Sequence, residues 1–140
     1  MIDAVGILFP SKSKGTTYEK NSIQPAKIII DTIVNSENQC LFISANDGPF
    51  FMNDYMKAKK EVEAYGQKCL KSRFVSVFPG IVYDASRKSS YFPARLLEPL
   101  VKIPIFSFLK SYHLIKRSQF AKEIHKIIEG KESSLTTRIK

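Results

Sequence analysis

Cys40-Leu41-Phe42-Ile43-Ser44 is the stretch whose reading decides the fold. Four apolar residues stand in a row, closed by a hydroxyl, between the polar segment Asn35 to Gln39 and a loop over Ala45 to Asn53. A strand with one wet face would alternate apolar and polar residues. A continuous run of this length instead predicts a strand covered on both faces, as in parallel sheets flanked by helices.

Working outward, the flanking segments supply those helices. Upstream, Ile23, Ala26, Ile30 and Ile33 recur at helical spacing, so a helix is expected from Ile23 to about Ser36. Ser22 is the expected cap, and Pro25 is tolerated in a first turn whose N–H groups lack helical partners. Downstream, Asp54 is expected to cap a helix to about Lys71, with Ala58, Val62, Tyr65 and Cys69 as its stripe and Gly66 as a modest weakness. Arg73 to Phe78 then reads as a second strand, closed by Pro79-Gly80. Ala4-Val5-Gly6-Ile7-Leu8 reads as the end of an earlier buried strand, followed by a loop from Pro10 to Gly15. Strand, helix, strand, helix, strand with short links is the pattern of βαβ units. The expected class is therefore α/β, a partial Rossmann-like parallel sheet.

Past Tyr83 the periodicity fades. Arg87 to Ser90 reads as a loop, Leu96 to Leu100 as a short helix, and Val101 to Ile115 as apolar without a period. Ser118 is expected to cap a last helix to about Glu129, with Phe120, Ile124, Ile127 and Ile128 inward and Gly130 as its stop. Leu135 to Ile139 reads as a terminal strand. Residues 1–140 are taken as one domain, of which 85–140 is the less regular part.

With 44% hydrophobic and 25% charged residues the composition is that of a folded domain and excludes a disordered chain. No apolar run approaches the roughly 18 residues of a membrane span, and the amino end carries neither a secretory signal nor a transit peptide. The net charge is +9. From Lys110 onward eight Lys and Arg face three Glu, which places five of the nine charges there. The plain reading is a solvated basic helix face, and the second is a surface for phosphate or anionic lipid. Cys40 and Cys69 fall on a strand and a helix face, and His113 and His125 stand alone. No metal site is expected.

Tyr55 and Lys59 carry the chemistry. Four residues apart at the start of a helix, they share one face, and an ammonium beside a phenol lowers the phenol's pKa and fits it for acid–base work. Ser44, at the carboxyl end of the preceding strand, is placed to polarise a carbonyl in the same crevice. Tyr112 and Lys116 repeat the spacing, but without a preceding strand that ends in Ser.

Phe42-Ile43-Ser44-Ala45, Tyr55-Met56-Lys57-Ala58-Lys59-Lys60-Glu61-Val62-Glu63 and Val77-Phe78-Pro79-Gly80-Ile81-Val82-Tyr83-Asp84 resemble atypical, extended short-chain dehydrogenases. The nearest group is that of mitochondrial NAD(P)-binding proteins tied to coenzyme Q biosynthesis, with the related complex I accessory subunit. Val5-Gly6-Ile7-Leu8, Tyr18-Glu19-Lys20-Asn21 and Ser118-Gln119-Phe120-Ala121 are similar too. The resemblance implies catalytic positions at Ser44, Tyr55 and Lys59, and contacts to an NAD(P) cofactor at Gly6, Pro79 and Gly80. It also implies a mitochondrial setting linked to quinone or respiratory assembly, with a cytoplasmic one as the alternative. Two departures stand out. Phe78 occupies a position commonly held by Arg, and no G-x-x-G-x-x-G occurs, so the helix start that receives a pyrophosphate is missing.

A second half of such a sheet would expose an apolar edge. The sequence therefore implies a piece of a longer chain, a second polypeptide with the missing half, or a homodimer. Two functions follow: an NAD(P)-binding, dehydrogenase-like protein, not catalytic by itself, or a non-catalytic assembly subunit. The second would contact a protein or an anionic membrane through the basic, aromatic C-terminal part. Nucleic acid ranks last as a partner, since charge alone suggests it.

Overall fold

A computed structural model describes residues 1–47, 52–83 and 114–138. The chain divides into two units, Met1–Val77 and Phe78–Lys140.

In the first unit, β1 (Ile2–Asp3), β2 (Cys40–Ile43) and β3 (Phe74–Val77) form a parallel sheet in the order β1-β2-β3. Asp3 lies opposite Phe42, and Ile43 opposite Val77. Parallel neighbours require a crossover, and α1 (Gln24–Ile33) and α2 (Asn53–Leu70) supply the two needed. The mixed α/β class with parallel pairing is as expected. Cys40 and Phe42, two apart on one face of β2, join Ile23, Ala26, Ile30 and Ile33 of the first helical segment in one core. Ala58, Val62 and Leu70 of α2 and Phe74 of β3 complete it. The rings of Phe42 and Phe74 stack with centroids 5.9 Å apart. Each such buried side chain is worth about 1.5–3 kcal/mol.

Several boundaries differ from the sequence reading. The first strand is Ile2–Asp3 rather than Ala4 to Leu8. The chain leaves the sheet because the Val5 N–H turns back to Asp3 Oδ1 at 2.9 Å, and Gly6 follows at φ 150°. Val5 and Leu8 are consequently exposed. Nor does Ser22 cap a helix. A π-helical turn over Glu19–Ile23 runs straight into α1. The cap is Thr17, whose Oγ1 accepts from Lys20 N–H at 3.1 Å while its own N–H donates to Asn21 Oδ1 at 3.0 Å. This is a reciprocal arrangement like a capping box. Asp54 lies inside the first turn of α2, where its charge suits the helix dipole, and makes no cap bond. The buried stripe of α2 includes Met56, Ala58, Val62, Gly66 and Leu70, with Tyr65 and Cys69 only partly buried beside it.

Arg73, at the entry to β3, grips the end of α1. Its Nη1 donates to Ile33 O at 3.2 Å, to Asn38 O at 3.1 Å and to Ser36 O, and its Nη2 to Val34 O at 2.9 Å. One guanidinium thus serves carbonyls at a helix terminus, of which Ile33 O also accepts from the Ser36 N–H and hydroxyl.

In the second unit, β4 (Ile81–Tyr83) pairs in parallel with β5 (Leu114–Lys116), and α3 (Arg117–Ile128) follows directly. Ile115 and Ile127 are buried, and Gly130 at φ 73° ends the helix as expected. Ser118 is inside α3 rather than its cap. The expected terminal strand is a 3-10 turn over Ser134–Thr136, because Ser133 Oγ accepts from Leu135 N–H at 3.2 Å and bends the chain. The Leu135 carbonyl accepts from Phe78 N–H at 2.7 Å, and the Arg138 guanidinium lies 4.4 Å from the centre of the Phe78 ring. The readings of Arg87 to Ser90, Leu96 to Leu100, Val101 to His113 and Tyr112 lie outside the described residues.

Candidate functional site

Parallel strands end on a common edge, so the backbone of this sheet brings Asp3, Ile43-Ser44 and Val77 to one side. Residues of α2 spaced by four, Tyr55, Lys59 and Glu63, form a face directed to that edge. Lys59 is the centre of the site. Only 7% exposed, its Nζ donates to Ile43 O at 2.8 Å and lies 4.7 Å from the Phe42 ring centre and 5.8 Å from that of Tyr55. Burial holds this ammonium below its ordinary range, while the charges of Asp3 and Glu63 oppose the shift.

Ser44 is buried and does not offer its proton to the crevice. Its N–H donates to Val77 O at 2.8 Å and its hydroxyl donates to Glu63 Oε1. Tyr55 packs on Tyr18 with ring centroids 6.3 Å apart. Burial, and then the neighbouring Tyr18, push the Tyr55 phenol above its usual value. The depressed phenol expected from the sequence is thus not what the geometry gives. Desolvation and the neighbouring Tyr18 set the direction of the shift, although the Lys59 ammonium stands 5.8 Å from the Tyr55 ring centre.

Gly6 borders Lys59. A Cβ at this position would stand 3.6 Å from Lys59 Nζ, an ordinary contact, and a tighter 3.3 Å from Ser22 Oγ, and the φ of 150° itself favours glycine. Ser22 Oγ also accepts from Ile7 N–H at 3.1 Å. Asp3, 1% exposed, is the member that the sequence reading missed most plainly. Oδ1 is used by Val5, and Oδ2 is buried with no hydrogen-bond partner. Burial raises its carboxyl pKa, against the Val5 N–H and the charge of Lys59. A carboxylate between Ile2 and Ala4, just ahead of an apolar run, was the available signal. Glu63 was findable as the next step of the Tyr55, Lys59 spacing.

The first unit therefore brings Gly6, Ser44, Tyr55 and Lys59 together, with Asp3, Tyr18, Ser22 and Glu63 added. Pro79 and Gly80 belong to the second unit, where Pro79 is buried just ahead of β4. Chemically, the arrangement holds one cation against main-chain oxygen and aromatic faces, and keeps two phenols protonated. Among the described residues no group of three or more His, Cys, Asp or Glu could hold a metal ion, and no helix is long and apolar enough to cross a membrane. No family model matches the chain, and neither a curated protein nor a solved structure does.

Proposed function

We propose that this chain is the dehydrogenase-like half of an NAD(P)-binding protein, and that it binds nicotinamide nucleotide without turning it over. The observation that carries the reading is Lys59, buried at the carboxyl edge of a parallel sheet, one helical turn from Tyr55 and bordered by the side-chain-free Gly6. An open α/β sheet binds ligands at that edge. Tyr55, Lys59 and Gly6 suit the nicotinamide end of such a ligand, and the family resemblance adds Pro79 and Gly80 as cofactor contacts. A pyrophosphate loop would come from a second polypeptide, another copy, or a further part of the chain. Such a cofactor would bring the capacity for hydride transfer, which this chain by itself does not use. The hydroxyl proton of Ser44 is committed to Glu63 and the Tyr55 phenol is raised, which supports binding over turnover. The mitochondrial and quinone-linked setting is part of this reading through the family resemblance.

The test is a titration of NADPH and NADH fluorescence with the purified chain and with Lys59→Met. Saturable binding that weakens in the variant supports the proposal. The absence of saturation at millimolar cofactor would sink it.

A second reading, a non-catalytic assembly subunit, draws on α3, where Lys122 and Lys126 are exposed and Ile128 is 55% exposed. It requires the chain to join a complex in a manner lost in Lys122→Glu/Lys126→Glu, whether or not nucleotide binds.

A further inference from the structure

The loop between β1 and the first helical turn has an apolar tip that the fold does not bury. Leu8 is 51% and Phe9 56% exposed, and Pro10 beside them is exposed as well. These side chains are nonetheless held in place. Ile7 N–H donates to Ser22 Oγ at 3.1 Å and Tyr18 OH donates to Leu8 O at 2.9 Å, anchoring one side of the tip. On the other side Ser11 pairs with Thr16: the Thr16 N–H reaches Ser11 O at 3.1 Å, and Ser11 N–H reaches Thr16 Oγ1 at 2.8 Å. Within that bridge Lys12–Lys14 form a 3-10 turn that closes on Gly15 at φ 60°. A tight turn, not a loose segment, therefore presents the apolar pair.

Charge says what such a tip would meet. Lys12 and Lys14 are exposed, and from Ala4 to Tyr18 the sequence holds no carboxylate at all. Three residues of chain span at most about 11 Å, which keeps the Lys12 backbone within that distance of Phe9. That is close to the screening length of about 8 Å at physiological ionic strength, and lysine side chains lengthen the reach. Carboxylates come in only at the base of the loop, at Asp3, which is 1% exposed, and at Glu19 and Asp54. Asp54 acts on Tyr18 and is 3.5 Å from Lys57 Nζ, and the charge of Glu19 bears on Lys27. A protein partner or a second copy of this basic chain would gain nothing from an all-cationic rim. An anionic bilayer surface matches both features, with acyl chains for Leu8 and Phe9 and lipid phosphates or carboxylates for the ammonium groups.

We propose that the Gly6–Thr17 loop is a membrane-docking tip that inserts Leu8 and Phe9 into the headgroup boundary of an anionic bilayer while Lys12 and Lys14 engage the lipid headgroups. Leu8, Phe9, Lys12 and Lys14 are not members of the Lys59 site, although Gly6, Ser22 and Tyr18 at the base of the loop are, and the proposal does not rest on the nucleotide reading.

The chain contains no tryptophan, so Phe9→Trp is a unique reporter. The full chain carrying Phe9→Trp is titrated with vesicles of phosphatidylcholine alone and of phosphatidylcholine with one-third phosphatidylserine. Emission is expected to move to shorter wavelength only with the anionic vesicles and to revert at high salt. In flotation, Leu8→Ser/Phe9→Ser should lower partitioning by about tenfold or more. Lys12→Ala/Lys14→Ala should lower it by about tenfold. Circular dichroism matched to the parent establishes that these exposed substitutions leave the fold intact. Lys122→Ala/Lys126→Ala, on α3, should leave the tryptophan response in place. The proposal is overturned if the reporter's emission ignores anionic lipid, or if only the α3 variant abolishes binding. It is equally overturned if the emission shift depends on protein concentration without lipid, which would make the tip a contact between copies.

Discussion

The ammonium of Lys59 donates to the carbonyl of Ile43 at 2.8 Å, tying α2 to the end of β2 across sixteen residues of sequence. A lysine whose spacing from Tyr55 suggests chemistry is therefore, in this chain, also a structural clamp. It satisfies a partly buried carbonyl at the point where β2 gives way to Ser44.

Removing that clamp should be costly. Lys59→Ala leaves the Ile43 carbonyl without its donor and strips the contact with the Phe42 ring, for an expected loss of about 2 kcal/mol or more. Lys59→Met keeps the apolar stem and should recover part of the loss. Urea unfolding midpoints at neutral pH measure both. Equal stability of Lys59→Met and the parent would show that the carbonyl contact contributes nothing net.

Asp3 predicts an acid-side pH dependence. Its folded pKa lies above the value of the unfolded chain, so between the two the folded state holds more protons. The contribution from Asp3 is thus fully present below the unfolded pKa of about 3.9 and is lost as pH rises through the folded value. Asp3→Asn keeps an oxygen for Val5 N–H and cannot titrate. Its stability, followed by denaturant unfolding from pH 4 to 7, should fall less with rising pH than that of the parent. Parallel curves would refute the assignment.

Lys59 predicts the opposite slope on the alkaline side. Its folded pKa lies below its unfolded value of about 10.4, so in the window between them the unfolded chain binds more protons and stability rises with pH. Lys59→Met should remove that rise. Denaturant unfolding from pH 8 to 10.5 tests it, and an unchanged slope in the variant would assign the rise to another group.

Gly66 shows where helix propensity alone misleads. In sequence it is a small flaw in α2, and alanine should improve the helix by about 1 kcal/mol. In the structure a Cβ there would fall 2.2 Å from the Phe74 ring, which is buried and stacked on Phe42. Gly66→Ala is expected to destabilise the chain by about 1–3 kcal/mol through overpacking. Phe74→Leu in the same chain should reduce that penalty, and additive losses would mean the close approach is not its origin.

What was legible in the sequence follows from which residues carry periodic signals. The run Cys40 to Ile43 and the spacing of Ile23, Ala26, Ile30 and Ile33 mark buried faces, and those elements stand where expected. The start of the sheet was not legible. Val5, Ile7 and Leu8 imitate a buried strand although Val5 and Leu8 are exposed, and what ends β1 is a bond between Asp3 and a backbone N–H two residues on. Tyr55 and Lys59 were visible because helical spacing is local. The partners that decide their chemistry were not, because Asp3, Tyr18 and Ser22 reach the site from distant parts of the chain. The Glu63 bond to Ser44 likewise spans nineteen residues.

Arg73 offers a final prediction, drawn from a contact with no sequence signature. Its guanidinium serves four carbonyls, those of Ile33, Val34, Ser36 and Asn38, which belong to the end of α1 and the link into β2. Lysine has the charge but not the planar fork, so it can satisfy only some of these acceptors. Arg73→Ala should cost about 1.5–3 kcal/mol, the worth of charge-assisted hydrogen bonds, and Arg73→Lys should fall between that variant and the parent. Amide hydrogen exchange supplies the local readout: protection should drop first over the last turn of α1 and residues 34–39. Loss of protection spread evenly over the first unit would mean that Arg73 supports general packing and not this helix end.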